Sequence, residues 1–273
     1  MSDKFERDTS VAIKDGASGG AVSGEWSLRK PVSGYLASIA LRAAGHSGFK
    51  GRPVSASFDF TGTPAAGPIE LSVKVLSSSA AKECVEVTMT QKRELILSAR
   101  IWSVGALSGL EHDFEHAPSV AHPEYYPSIA DLAKVDHFGD LLPVFHVLEE
   151  RPVDWNSPRK WRRTAPQQTA WFRYPGANGH DDAYLSAARC LVPMSIMPAF
   201  AAMMPHDVWN TNTPQFAATT RLAVNFLGSK RSDWILVRGD AAVAGGGLIS
   251  GTAKAWGEDG KPLATGITQL VSA

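Results

Sequence analysis

The sequence predicts an α+β protein in which one unit, a helix followed by an antiparallel sheet, is written twice. Residues 219–237, TTRLAVNFLGSKRSDWILV, repeat the pattern of residues 53–71, PVSASFDFTGTPAAGPIEL. Phe226 falls on Phe60, Gly228 on Gly62, Ile235 on Ile69 and Val237 on Leu71, all at one offset, 226 − 60 = 166. Carried forward, the same offset puts Leu263 on Leu97 and Ile267 on Ile101. Spacing that survives two turns points to an internal duplication. In both halves the repeated runs alternate apolar and polar residues, the period of a sheet with one packed face.

Taken in order, the chain opens with a short strand candidate at 10–14 and a glycine-rich turn, GASGG, at 16–20. From Pro31 to Ala44, Val32, Tyr35, Leu36, Ile39, Ala40 and Ala43 fall at steps of three and four, one stripe of an amphipathic helix. Pro31 opens that helix and Gly45 closes it. Strands are expected at 54–61, 69–76, 84–90 and 94–104. Residues 105–140, with scattered Gly, Pro and His and the charged run GLEHDFEH, read as a long connection with little regular structure. Residues 141–154 (LLPVFHVLEERPVD) and 169–174 read as strands. Asp181 and Asp182 stand where a helix N-terminus favours carboxylates, and AYLSAARCLV continues as helix until Pro193 and Pro198 end or kink it. Four strands close the chain at 216–227, 234–243, 248–256 and 263–271, with turns at 245–247 (GGG) and 258–260 (EDG). The units are therefore 1–104 and 141–273, joined by 105–140.

The bulk properties exclude several classes. At 273 residues there is ample chain for a core, and 44% hydrophobic with 20% charged residues is the balance of a soluble globular protein. Twenty-seven basic residues meet twenty-seven acidic ones, which argues against nucleic acid as a partner. Two cysteines, Cys84 and Cys190, make no disulfide framework. MSDKFERDTS lacks the apolar stretch of a secretion signal, and no apolar run reaches the ~18 residues of a membrane span. A cytoplasmic protein with no membrane association is expected.

The order of these pieces resembles the acyl-CoA thioesterase II group of the hot-dog superfamily, in its double hot-dog form. The resemblance runs from about Gly24 to the C-terminus through SGYLASIALRAA, VSASFDFTGTPAAGPIELSVKVL, LEERPVD, WFRYPG and TTRLAVNFLG…DWILV…WGEDGKPLATGITQ. It implies two hot-dog units sharing one continuous curled sheet, an acyl-CoA as the small-molecule partner, and hydrolysis to free acid and CoA. It implies no cofactor beyond the coenzyme A of the substrate, and a homo-oligomer. The family's site, in the second half, uses an Asp on the helix, a Thr at the following strand and a Gln near the end. Thr219 stands in the threonine position, seven residues before Phe226, and Gln269 in the glutamine position, nine beyond Gly260. Aligning AYLSAARCLVP on the family's helix puts Cys190 at the acid position, and no Asp or Glu occurs between Ala183 and His206. Subtracting 166 from the two matched positions gives Pro53 and Ser103, so one site per chain is expected.

Hydrolysis of a thioester needs an activated water and a stabilised oxyanion, and a carboxylate normally does the base work. Thr219 and Gln269 would orient the water. Backbone N–H groups at the Asp182 helix start would polarise the carbonyl, and Arg162 and Arg163 in SPRKWRR would attract the phosphates of CoA. The absent helix acid keeps open an acyl-CoA-binding protein without hydrolysis. A hot-dog enoyl-CoA hydratase would want an Asp and a His a few residues apart at a strand–helix junction, which neither half's helix shows. Rival signals carry less. The G-x-S-x-G at 16–20 lacks a preceding parallel sheet. His112, His116 and His122 read as a solvated loop rather than metal ligands, and Gly245 to Gly247 as a hairpin rather than a phosphate cradle.

Overall fold

The alternating runs pair, in the computed structural model, into one open antiparallel sheet that wraps two helices. The structure describes residues 3–14, 17–136, 140–176, 182–206, 217–228 and 231–272. In chain order the elements are α1 (Lys4–Asp8), β1 (Ala12–Lys14), β2 (Ala17–Val22), α2 (Ser33–Ala44), β3 (Arg52–Phe60), β4 (Gly67–Ser78), β5 (Lys82–Gln91) and β6 (Glu94–Val104). Then come α3 (Ile129–Asp136), α4 (Val144–Val147), β7 (Glu149–Pro152), β8 (Gln167–Arg173), α5 (Ala183–Met203), β9 (Ala217–Phe226), β10 (Trp234–Gly245), β11 (Leu248–Gly257) and β12 (Pro262–Ser272). The twelve described strands lie in the order β1-β2-β4-β5-β6-β3-β9-β12-β11-β10-β8-β7. This is the double hot-dog architecture, two units sharing one continuous sheet.

The halves join where β3 pairs with β9. Ser57 faces Ala223 across that ladder, and these two positions are themselves 166 apart, so an approximate twofold axis passes between them. The offset is not uniform, however. Phe58 pairs with Ala99 and Val224 with Gly266, so in the last strand the spacing is 266 − 99 = 167. The β5–β6 turn holds two residues between the paired Gln91 and Glu94, Lys92 and Arg93, both at positive φ, whereas three separate Gly257 from Lys261, whose carbonyl accepts from the Gly257 N–H. One extra residue turns every side chain of β12 to the opposite face from the sequence register. Ile101 is fully buried, and Ile267, its expected counterpart, is 59% exposed.

α2 and α5 run antiparallel and touch directly, because Gly34 of α2 lies against the Leu191 carbonyl of α5 and a Cβ there would overlap it. Around them, Phe58, Ile69, Val87 and Leu97 from the first half and Leu222, Val224, Ile235 and Val237 from the second close a single core. α1 plugs one end, with Phe5 against Trp26 and Tyr174. Its Asp3 carboxylate meets Arg189 of α5, both almost wholly buried.

Several elements depart from the sequence reading. The glycine-rich segment at 17–22 is a strand between β1 and β4, which rules out a nucleophile elbow there. Residues 141–148 are not strand: α4 occupies their end and only Glu149–Pro152 joins the sheet. The connection holds α3, and its Ala117, Val120 and Tyr126 pack on Trp171, Trp234 and Trp256 on the outer face of the sheet. α2 does end at Gly45, its C-cap, and a 3-10 turn follows that stops at Gly48, at φ 92°. α5 continues through both Pro193 and Pro198. Pro193 leaves the Arg189 carbonyl without its helical donor, and the Tyr174 hydroxyl donates to it instead at 2.8 Å. At 21 residues α5 is also long and apolar enough to cross a membrane, contrary to the reading that no run is, but here it is the buried helix of the core.

Candidate active site

The sequence places its candidates on one strand pair, and the structure divides them. Along β12, Ala264, Thr268 and Leu270 are buried against the helices, so Thr265, Ile267 and Gln269 face the outside. β9 carries a bulge opposite Gln269–Leu270. It turns Thr219 inward, where the Ser33 hydroxyl, at the start of α2, donates to Thr219 Oγ1 at 2.9 Å. Thr219 and Gln269 therefore project from opposite faces of the sheet. The β12 residue on Thr219's side is Thr268, 2% exposed, whose hydroxyl has no partner among the described residues.

Cys190 does not join Thr219 either. It lies with Gly228, Ser232 and Leu263, at the far end of β9. On α5 it stands five residues before Ser195, about 8 Å along the helix axis from the cluster. Burial pushes its thiol up to about 12, so it is an inert core sulfur rather than a nucleophile or a substitute acid. On α5 the residue beside the cluster is Ser195, which accepts from the Gly34 N–H at 3.1 Å and donates to the Val192 carbonyl at 2.8 Å.

Asp182 caps α5, accepting from the Leu185 N–H at 2.7 Å. That helix start lies against the C-terminal end of α2, where Tyr184 packs under Gly45. It is thus separated from Ser33 by the 12-residue length of α2, about 18 Å. Asp181 falls outside the described residues. Arg162 and Arg163 are exposed, in a loop held by paired hydrogen bonds between Asn156 and the Arg162 backbone.

What the fold does assemble is a hydroxyl cluster at the N-terminal end of α2. Val32, the cap residue, supplies no side-chain hydrogen bond to that end. Gly34 N–H is taken by Ser195, and the Tyr35 and Leu36 N–H groups by the Val32 carbonyl. This leaves the Ser33 N–H as the first-turn donor without a partner among the described residues. A helix start of this kind attracts negative charge. By contrast, the start of α5 is already filled by the Asp182 carboxylate. No Asp, Glu or His among the described residues is hydrogen-bonded to Ser33, Thr219 or Ser195. A groove of about 1200 Å³ along Gly228, Arg231 and Lys261 opens at the other end of β9, away from this cluster.

Residues 22–104 match the acyl-CoA thioesterase N-terminal domain and residues 118–272 the acyl-CoA thioesterase C-terminal domain. The chain belongs to the acyl-CoA thioesterase family. Among solved structures it is similar to a hot-dog protein of unknown function from Alicyclobacillus acidocaldarius, at TM-score 0.82 and 18% identity, covering 100% of this chain and 99% of that one. It is similar also to an acyl-CoA thioesterase II, TesB2, from Mycobacterium marinum, at TM-score 0.78 and 18% identity over 98% of both chains. An assigned thioesterase II from Thermobifida fusca gives TM-score 0.80 and 14% identity, covering 100% of this chain and 98% of that one. No curated protein matches the sequence significantly. These likenesses concern the whole fold, and within this family member the residues at the cluster are hydroxyls.

The sequence reading missed Ser33, Ser195 and Thr268. Thr268 was one residue away, and counting the longer β11–β12 turn would have found it. Ser33 and Ser195 carry no signal in the sequence beyond polar residues interrupting two apolar stripes.

Proposed function

We propose that the chain binds an acyl-CoA with its thioester carbonyl at the N-terminal end of α2 and hydrolyses it there. The carrying observation is the Ser33–Thr219 contact at a helix start that no side chain caps. The Ser33 N–H would donate to the carbonyl oxygen as charge develops on it, and the positive end of α2 would reinforce that bond. The Thr219 and Ser33 hydroxyls would hold the attacking water. Arg162 and Arg163 would attract the CoA phosphates across solvent. A site at only one end follows from the cap on α5.

One observation favours a second reading, acyl-CoA binding without turnover: among the described residues, the hydroxyl cluster contains no carboxylate or imidazole to take the water's proton. The two separate by experiment. Release of CoA thiol from acyl-CoAs of increasing length, lost in both Ser33→Ala and Thr219→Ala, supports hydrolysis at this site. Tight acyl-CoA binding with thiol release at the background rate supports binding alone. Unchanged CoA affinity in the Arg162→Ala, Arg163→Ala double variant removes those two residues from the reading.

A further inference from the structure

A second cavity, of about 330 Å³, lies between the β7–β8 end of the sheet, the last turns of α5 and the segment leading into α4. None of Ser33, Ser195, Thr219 and Thr268 lines it. Its walls are largely apolar, with Leu142, Phe145, Phe200, Met203, Trp155 and Trp161 among them. The polar atoms of those two indoles and of the neighbouring amide are engaged elsewhere. Trp155 Nε1 donates to Asp136, Trp161 Nε1 to the His206 carbonyl, and Asn156 pairs with the Arg162 backbone. The indoles therefore present ring surface to the cavity.

Two side chains break that apolar lining. Glu150, 2% exposed, stands on β7 opposite Phe172, and Gln168, 6% exposed, lies on the same face of β8 four residues before Phe172, so the two line different parts of the cavity. Glu150 Oε2 and Gln168 Oε1 have no hydrogen-bond partner among the described residues. An unpartnered buried carboxyl or amide oxygen costs a fold on the order of 1–3 kcal/mol. Leucine at either position would remove that cost, so these residues are poor choices for packing alone. A ligand that supplies the missing partners gives them a purpose.

We infer that this cavity is a binding site for a neutral, largely apolar small molecule carrying a hydroxyl group, an alcohol or phenol, seated against Glu150 and Gln168. The inference does not rest on the thioester reading. The two unpartnered oxygens select the class. Burial raises the Glu150 carboxyl to about 8, so it holds its proton at neutral pH. A protonated carboxyl needs an acceptor and the Gln168 carbonyl oxygen needs a donor, and a hydroxyl can serve at either position. An ether accepts only, and an ammonium donates only. The other charged residues lining the cavity are Arg29 and Asp140. Its volume is at the small end of the range for ligand pockets.

The test is calorimetric titration of the full chain at pH 6.5 with octan-1-ol, 1-methoxyoctane and octylammonium, repeated with Glu150→Leu, Glu150→Gln and Gln168→Leu. Octan-1-ol should bind at least about tenfold more tightly than the methyl ether, the worth of one well-placed hydrogen bond. Glu150→Leu should lose that preference while melting no lower than the parent, and Glu150→Gln should keep most of it. Equal binding of alcohol and ether, full binding by Glu150→Leu, or octylammonium as the tightest probe would each overturn the inference. So would the absence of heat with octan-1-ol up to its solubility.

Discussion

Glu150 makes the stability of this fold depend on pH in a direction that can be worked out. Its carboxyl rises from an ordinary 4.5 to about 8 because it is wholly buried. In the unfolded chain the proton leaves near pH 4.5, whereas the folded chain holds it to about pH 8. Folding in that window therefore takes up a proton, and stability falls as pH rises, by about 1.4 kcal/mol per unit. Between pH 5.5 and 7.5 the loss from this residue alone is about 2.7 kcal/mol. Glu150→Gln keeps the shape and removes the titration. Urea unfolding of both proteins at the two pH values isolates the contribution, since every other group is shared. The parent should lose about 2.7 kcal/mol more than the variant over that interval. Parallel pH profiles, within about 0.5 kcal/mol, would refute the reasoning and mean that Glu150 is solvated or paired.

Other perturbations follow from the packing. Gly34→Ala drives a Cβ into the Leu191 backbone of α5, and should destabilise by about 3 kcal/mol or more in thermal unfolding. Asp3→Ala removes a carboxylate that the buried Arg189 guanidinium meets, at a cost of about 2 kcal/mol or more by urea unfolding. Asp182→Ala removes the α5 cap and should cost about 1 kcal/mol while leaving acyl-CoA affinity unchanged. The Cys190 thiol, buried and raised to about 12, should react with a thiol reagent only as fast as the protein unfolds, and Cys190→Ser should keep any CoA release intact.

Much of the fold was legible because duplication and period-two alternation are local signals. The strands flanking Phe60 and Phe226 and the stripe of α2 come directly from them. What failed depended on contacts far along the chain. Residues 17–22 are a strand only because β4 offers an edge, and glycine gives no sign of that. α5 survives Pro193 because Tyr174, nineteen residues earlier, satisfies the freed carbonyl. The candidate site suffered most from register. One extra residue in the β11–β12 turn moved Gln269 to the outer face and put Thr268 beneath the helices. Thr219 kept its expected place relative to Phe226 because that spacing is set within one strand. Cys190 was misplaced because an apolar helix offers no landmark to fix its register.

The most direct measurement compares CoA release from acyl-CoA by Thr219→Val and by Gln269→Ala. Placing Thr219 on the inner face with Ser33, and Gln269 outside, predicts that Thr219→Val loses release while Gln269→Ala retains the parent rate. Loss in Gln269→Ala with full release in Thr219→Val would contradict the account.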